Sequence, residues 1–142
     1  MNRKKIFVAY RFTGEDPTIL SAMISQVTAA LDTAGYDCVS SFAEERAFQS
    51  RSMNAGAINQ EMCRRIADCD AFLAVVKDDQ RSEGMLIEIG YRSALFDQGI
   101  KRIPFILAVQ RSATTCLRDM ADTVIEFETI KDLFHQLEAL DL

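Results

Sequence analysis

With 142 residues, 16 Lys and Arg against 21 Asp and Glu, and a net charge of −5, the chain reads as one domain of ordinary size, 49% hydrophobic and 26% charged. At this length a fold buries roughly 70% of the surface that the unfolded chain exposes, so a core forms without metal or disulfide staples. The acidic balance, with a pI near 4.9, excludes a global basic footprint for nucleic acid or an anionic membrane.

No apolar run approaches the ~20 residues of a membrane span. The opening Met-Asn-Arg-Lys-Lys leads into an apolar run of residues 6–10 that Arg11 ends, too short for a signal peptide, so a cytoplasmic protein is expected. Cys38, Cys63, Cys69 and Cys116 form no C-x-x-C pair and have only His135 to join them, so reduced thiols are expected and no metal site.

In chain order, residues 5–10 form the first strand, apolar on both faces as in a covered parallel sheet. A helix follows, bounded by Pro17 and Gly35, with Ile19, Leu20, Met23, Ile24, Val27, Ala30 and Leu31 on one stripe. A weaker strand spans 36–40, and residues 42–56 then mix charges with Phe42, Phe48 and Met53. At about 15 residues this stretch is long for an α/β connection, and a loop acting as a lid is expected. Ile58, Met62 and Ile66 mark a helix over 57–67 with Asn54 as its cap. Strand 71–76, a helix over 85–98 stopped by Gly99, strand 102–109, a short helix over 115–121, strand 122–127 and a last helix over 131–140 complete the chain. His135 falls on the polar side of that last helix.

Strand and helix thus alternate five times, which calls for a three-layer α/β sandwich, a five-stranded parallel sheet covered by helices on both faces. The flavodoxin-like order 2-1-3-4-5 is expected, as one domain over 1–142. In such a sheet ligands bind beyond the carboxyl ends of the strands, at the switch in strand order. That rule selects Tyr10, Arg11, Phe12, Thr13 and Gly14 after the first strand and Ser41 and Phe42 after the second. After the third and fourth strands it selects residues 77–84, with Asp78, Ser82 and Gly84, and residues 110–115, with Thr114 and Thr115.

Glu88 is the leading candidate. It sits in Met85-Leu86-Ile87-Glu88-Ile89-Gly90-Tyr91, a carboxylate among apolar neighbours near the start of a helix. Gly90 costs about 1 kcal/mol inside a helix relative to Ala, which suggests a close approach by backbone or ligand. A carboxylate so placed is suited to attack an anomeric carbon, because an adjacent anion stabilises an oxocarbenium-like transition state. Arg11, Thr13 and Gly14 form a polar strand-to-helix turn where N–H groups and a guanidinium fork can hold an anion. Ser82 either caps the third predicted helix or donates to a phosphate.

The positions after Tyr10 and the segment Ser82-Glu83-Gly84-Met85-Leu86-Ile87-Glu88-Ile89-Gly90-Tyr91 resemble the nucleoside 2-deoxyribosyltransferase superfamily. The resemblance runs from about Ile6 to Phe127 as the same order of elements. It implies Glu88 as the nucleophile that attacks C1′ of a deoxyribosyl group, Tyr10 as the nearest candidate for a tyrosine that hydrogen-bonds it, and no cofactor. Around Arg11 and Glu15-Asp16 the chain looks like the 2′-deoxynucleoside 5′-phosphate N-hydrolase branch, which would put phosphate on Arg11 and Ser82. The remaining pocket residues would be Phe12, Thr13, Gly14, Ser41, Phe42, Asp78, Gly84 and Met85, with Thr114 or Thr115 lent by a partner subunit. A homodimer or higher homo-oligomer with shared sites is implied, pairing the third and fourth predicted helices where Leu95 and Phe96 widen the apolar surface.

The same residues also resemble a TIR domain, through residues 7–16 and the spacing of six from Ser82 to Glu88, which would imply NAD cleavage or signalling. A non-catalytic nucleotide-binding module, with Glu88 as a structural cap or pair, is the third reading.

Overall fold

Three runs of the chain are apolar on both faces, and each becomes an interior strand. In the computed structural model, which describes residues 2–11 and 14–142, the strands are β1 (Lys5–Tyr10), β2 (Asp37–Ser40), β3 (Ala71–Val76), β4 (Phe105–Gln110) and β5 (Thr123–Phe127). They form one parallel sheet in the order β2-β1-β3-β4-β5. The strands β1, β3 and β4, apolar and buried apart from Lys5 and Gln110 at their ends, occupy the middle, and the two weaker, more exposed ones form the edges.

Six helices connect and cover them: α1 (Pro17–Thr33), α2 (Ser41–Ser50), α3 (Ala55–Ala67), α4 (Glu83–Asp97), α5 (Leu117–Met120) and α6 (Ile130–Glu138). Because side chains alternate along a strand, the sheet separates two cores. Phe7, Phe72 and Phe105 pack with α3, α4 and α5 on one face; Ile6, Val8, Tyr10, Leu73 and Ile106 pack with α1 and α6 on the other. The phenylalanines interlock, Phe7 stacked on Phe72 at 5.4 Å between centroids and Phe72 edge-on to Phe105 at 5.7 Å. Among the described residues no helix is long and apolar enough to cross a membrane.

The helix limits follow local chemistry. Asp16 Oδ1 accepts from Thr18 N and Ile19 N at 2.9 and 3.1 Å and Pro17 opens α1, while Gly35, at φ +97°, takes the left-handed turn that ends it. The stripe expected on α1 is buried except for Met23, which is half-buried, and Ile19, which is 71% exposed.

Residues 42–56 depart from expectation. Instead of a loop, residues 41–50 form α2, capped by Ser40 Oγ on Ala43 N, with only a short link to α3. Its charged residues concealed a pattern in which Phe42 joins the core on one face of the sheet and Phe48 the core on the other. The helix therefore lies across the carboxyl end of the sheet beside β1 and β2, where the expected lid would close.

Candidate active site

The switch in strand order falls between β1 and β3, and the chain delivers its chemistry there. β1 ends at Tyr10 with Arg11 beyond it, and β3 ends at Val76 with Lys77 and Asp78 beyond it. Gly14, at φ +80°, turns the chain towards α1 in a conformation that a side chain would strain. Phe12 and Thr13 lie outside the described residues.

Arg11 is 12% exposed and fully engaged. Its Nη2 meets Glu15 Oε1 at 2.7 Å and Asp78 Oδ2 at 3.1 Å, and its Nη1 donates to Gln80. Lys77 Nζ reaches the same Glu15 carboxylate at 2.6 Å. Two cations and two carboxylates thus balance at the mouth of the site, and an anionic ligand must compete with Asp78 or Glu15 for the guanidinium. Tyr10 faces the α1 and α6 side of the sheet, opposite to α4. Burial first, then the charge of Glu15, pushes its phenol up to about 12. The structure brings Tyr10 to Arg11 and Asp78, not to Glu88.

Ser82 is the N-cap of α4, its Oγ accepting from Met85 N at 3.3 Å. Gly84 follows in the first turn. Thr114 is held by Asp79, donating from N at 2.7 Å and from Oγ1 at 3.1 Å, and Thr115 Oγ1 accepts from Leu117 N. Ser82, Thr114 and Thr115 border a hollow of about 530 Å³ between the start of α4 and the loop after β4, which Asp78, Met85 and Leu86 also line. The crevice at the switch point itself, between Tyr10, Arg11, Ser82 and Met85, has only about 20 Å³ free.

Glu88 stands one turn into α4, between buried Met85 and Ile89, and is 5% exposed. Its Oε2 is buried without a hydrogen-bond partner among the described residues. Burial, then the charge of Glu45 on α2, pushes its carboxyl up to about 8, so in this closed arrangement it holds its proton at neutral pH. From α3, Cys63 faces it, its thiol raised by burial and by Glu88. An unsatisfied buried carboxyl costs about 1–3 kcal/mol, which a purely structural position would shed by substitution. Gly90, by contrast, is exposed, and nothing lies within 4 Å of where a Cβ would stand, so the close approach expected there is absent.

Ser41 opens α2 at 2% exposure, and Phe42 carries Arg46 over its ring at 5.5 Å. With Glu45 and Gln49 from α2 and Glu15, Pro17 and Leu20 from the α1 side, Phe42 and Arg46 line a cavity of about 190 Å³. Sequence reasoning passed over Glu45 because Glu44 and Arg46 flank it. Its signal was spacing, since it lies three residues from both Phe42 and Phe48 and is half-buried between them.

No family model matches the chain, and no curated protein matches it either. Among solved structures, a CMP N-glycosidase from Clostridium botulinum matches with a TM-score of 0.67 at 20% identity, over 96% of this chain and 100% of that one. A 2-deoxyribosyltransferase from Bacillus psychrosaccharolyticus matches with a TM-score of 0.64 at 19% identity, over 97% of this chain and 93% of that one. The chain has the fold of these two enzymes. The likeness extends over nearly the whole of both chains, so the fold is shared as a whole and not as a local fragment.

Proposed function

We propose that the protein is an N-glycosidase or deoxyribosyltransferase that cleaves the N-glycosidic bond of a 2′-deoxynucleoside or its 5′-monophosphate and passes the sugar to water or to another base. The observation that carries this reading is Glu88, a buried carboxyl with an oxygen that has no hydrogen-bond partner among the described residues. Sharing a fold with two enzymes that act at such bonds supports the same reaction class.

In the reaction the ionised Glu88 attacks C1′ as the bond to the base breaks, giving a glycosyl ester that water or an acceptor base then resolves. Because Glu88 is sealed and protonated at rest, substrate entry has to displace α2 or the 77–82 turn and draw the proton away. Arg11, with Lys77 beside it, is the phosphate site, the ligand replacing Asp78 on the guanidinium; Ser82 contributes through the first turn of α4. Gly14, Ser41, Phe42, Asp78, Gly84 and Met85 shape the surrounding walls, and Thr114 and Thr115 border the outer hollow. Tyr10 supports this shell from the far side of the sheet. The working form is a homodimer, joined through α4 and α5. Leu95 is core and does not serve there, but Leu86 and Ile87 are each 46% exposed on the outer face of α4.

The test is to incubate wild type and Glu88→Gln with 2′-deoxynucleosides, their 5′-monophosphates, CMP and NAD, with and without an acceptor base, and to separate free base by chromatography. Base released by wild type alone establishes the reading. Nicotinamide release transfers the protein to the TIR-like class, and silence across the panel leaves a binding module.

A further inference from the structure

The turn after β3 carries two adjacent aspartates, and the fold sends them to opposite sides of that strand. Asp79 accepts from Thr114 N at 2.7 Å and from Thr114 Oγ1 at 3.1 Å, which ties the turn to the loop after β4. Asp78 reaches the other way: its Oδ2 accepts from Arg11 Nη2 at 3.1 Å, and its Oδ1 accepts from Gln80 N at 2.9 Å within the turn. Gln80 also accepts from Arg11 Nη1, and Lys77 Nζ meets Glu15 at 2.6 Å. Three side chains of residues 77–80 are therefore fastened to the Arg11 and Glu15 pair beyond the end of β1. Arg11, Lys77, Asp78, Gln80, Ser82 and Met85 wall one crevice, and with these contacts made it has only about 20 Å³ free.

We propose that Asp78 holds the place of a substrate phosphate on Arg11, and that a 5′-phosphate unfastens the 77–82 turn by taking that place. The proposal rests on the reading of Arg11 as the phosphate site. Of the two carboxylates on the guanidinium, Asp78 is the one free to leave. Glu15 is held at 2.7 Å by Arg11 and at 2.6 Å by Lys77 and is 16% exposed, whereas Asp78 makes the longer contact and is 39% exposed. Two cations and two carboxylates balance at rest, so an anion arriving beside both carboxylates meets net repulsion, while one that replaces Asp78 gains the forked, charge-assisted contact with Arg11.

With Asp78 displaced the turn stays moored through Asp79, so it swings about its Thr114 side and widens the crevice towards α4. Met85 stands in the crevice wall, and Glu88 follows it about 4.5 Å further along the helix axis on the same buried face. The opened crevice therefore leads towards Glu88. Tyr10, also in the wall, has its phenol pushed up to about 12, first by burial and then by Glu15, so it stays neutral and adds no charge to the exchange. The phosphate thus acts as a key: a monophosphate opens the site with binding energy from a part of the molecule remote from the reacting bond, and a nucleoside has to break the Asp78 contact without that help.

The experiment titrates inorganic phosphate and 2′-deoxynucleoside 5′-monophosphates into wild type, Asp78→Asn and Asp79→Asn by calorimetry at constant ionic strength, with circular dichroism to check folding. Asp78→Asn keeps an acceptor for Gln80 N and is expected to bind both probes about tenfold more tightly. Asp79→Asn removes the same charge without freeing Arg11 and is expected to change binding less than about twofold. Equal tightening in the two variants reduces Asp78 to a general charge effect and overturns the proposal, as does unchanged or weaker binding in Asp78→Asn. Should Asp78→Asn fail to fold, Asp78→Ser is read by the same criteria. In turnover, added inorganic phosphate is expected to raise base release from nucleosides by wild type about fivefold or more while competing with 5′-monophosphates, and to give Asp78→Asn no such rise. Phosphate that slows nucleoside cleavage by wild type, or leaves it unchanged, overturns the unfastening. No base release from any substrate defeats the Glu88 reading, and the calorimetry then decides the role of Asp78 by itself; phosphate that binds neither wild type nor Asp78→Asn removes the phosphate from Arg11, and the proposal with it.

Discussion

Glu88 ties stability to function through one proton. Its carboxyl is pushed from an ordinary 4.5 up to about 8 in the fold, so the folded state holds the proton more tightly than the unfolded chain. The stability this provides is complete below about 4.5 and is lost as pH rises through about 8, with a slope of up to about 1.4 kcal/mol per pH unit. Glu88→Gln is expected to remove that slope, leaving the variant more stable than wild type at pH 9 and little changed at pH 4; melting temperatures across the range decide it, and parallel curves would contradict it. Arg11→Ala is expected to raise KM for 5′-monophosphates tenfold or more, about 1.4 kcal/mol, and for nucleosides far less. Steady-state kinetics on matched pairs checks this, and equal effects would remove the phosphate from Arg11. Glu88 was legible in the sequence because a carboxylate in the company of Met85, Leu86, Ile87 and Ile89 has no ordinary surface explanation. The influence of Glu45 on it was not, because Glu44 and Arg46 flank Glu45 in the sequence and only the placing of α2 brings its charge to bear on Glu88.

At the scale of elements, α4 must hold Glu88 at a fixed depth, and its second half supplies the anchor. Arg92 donates from Nε to Ile103 O at 2.6 Å and from Nη2 to Asp122 Oδ2 at 2.7 Å, with its guanidinium over the Phe105 ring. The same Asp122 oxygen accepts from Phe105 N at 2.7 Å. Asp122→Ala is expected to cost about 2–4 kcal/mol, because it leaves a half-buried guanidinium and a strand N–H unpaired; chemical denaturation measures it, and a loss below about 1 kcal/mol would show that Arg92 finds other partners. The cap at the other end of the helix is smaller, so Ser82→Ala should cost about 1 kcal/mol by the same measurement. The elements were legible where hydrophobic period and punctuation agreed, as in β1, β3, β4 and the span of α1 between Pro17 and Gly35. α2 was not, because its ten residues straddle the sheet end and feed two cores with one phenylalanine each, a pattern with no single apolar face.

For the molecule as a whole, alternation of strand and helix was enough to anticipate a parallel sheet with the switch between β1 and β3. What it could not convey was closure: the switch-point crevice has about 20 Å³ free and the nucleophile candidate lies behind it. The surface shows the complementary feature, Leu86 and Ile87 of α4 exposed beside Gly90, where no side chain stands. A homodimer through this face is expected in sedimentation equilibrium, with Ile87→Glu shifting it to monomer; a monomeric wild type at working concentration would remove the shared-site arrangement. The central claim is that Glu88 bonds the sugar. Intact-protein and peptide mass spectrometry on enzyme quenched during turnover of the deoxynucleoside and deoxynucleotide panel tests it most directly. The account predicts a deoxyribosyl or phosphodeoxyribosyl adduct on the peptide containing Glu88 and none in Glu88→Gln, whereas base release without an adduct that persists in Glu88→Gln would contradict it.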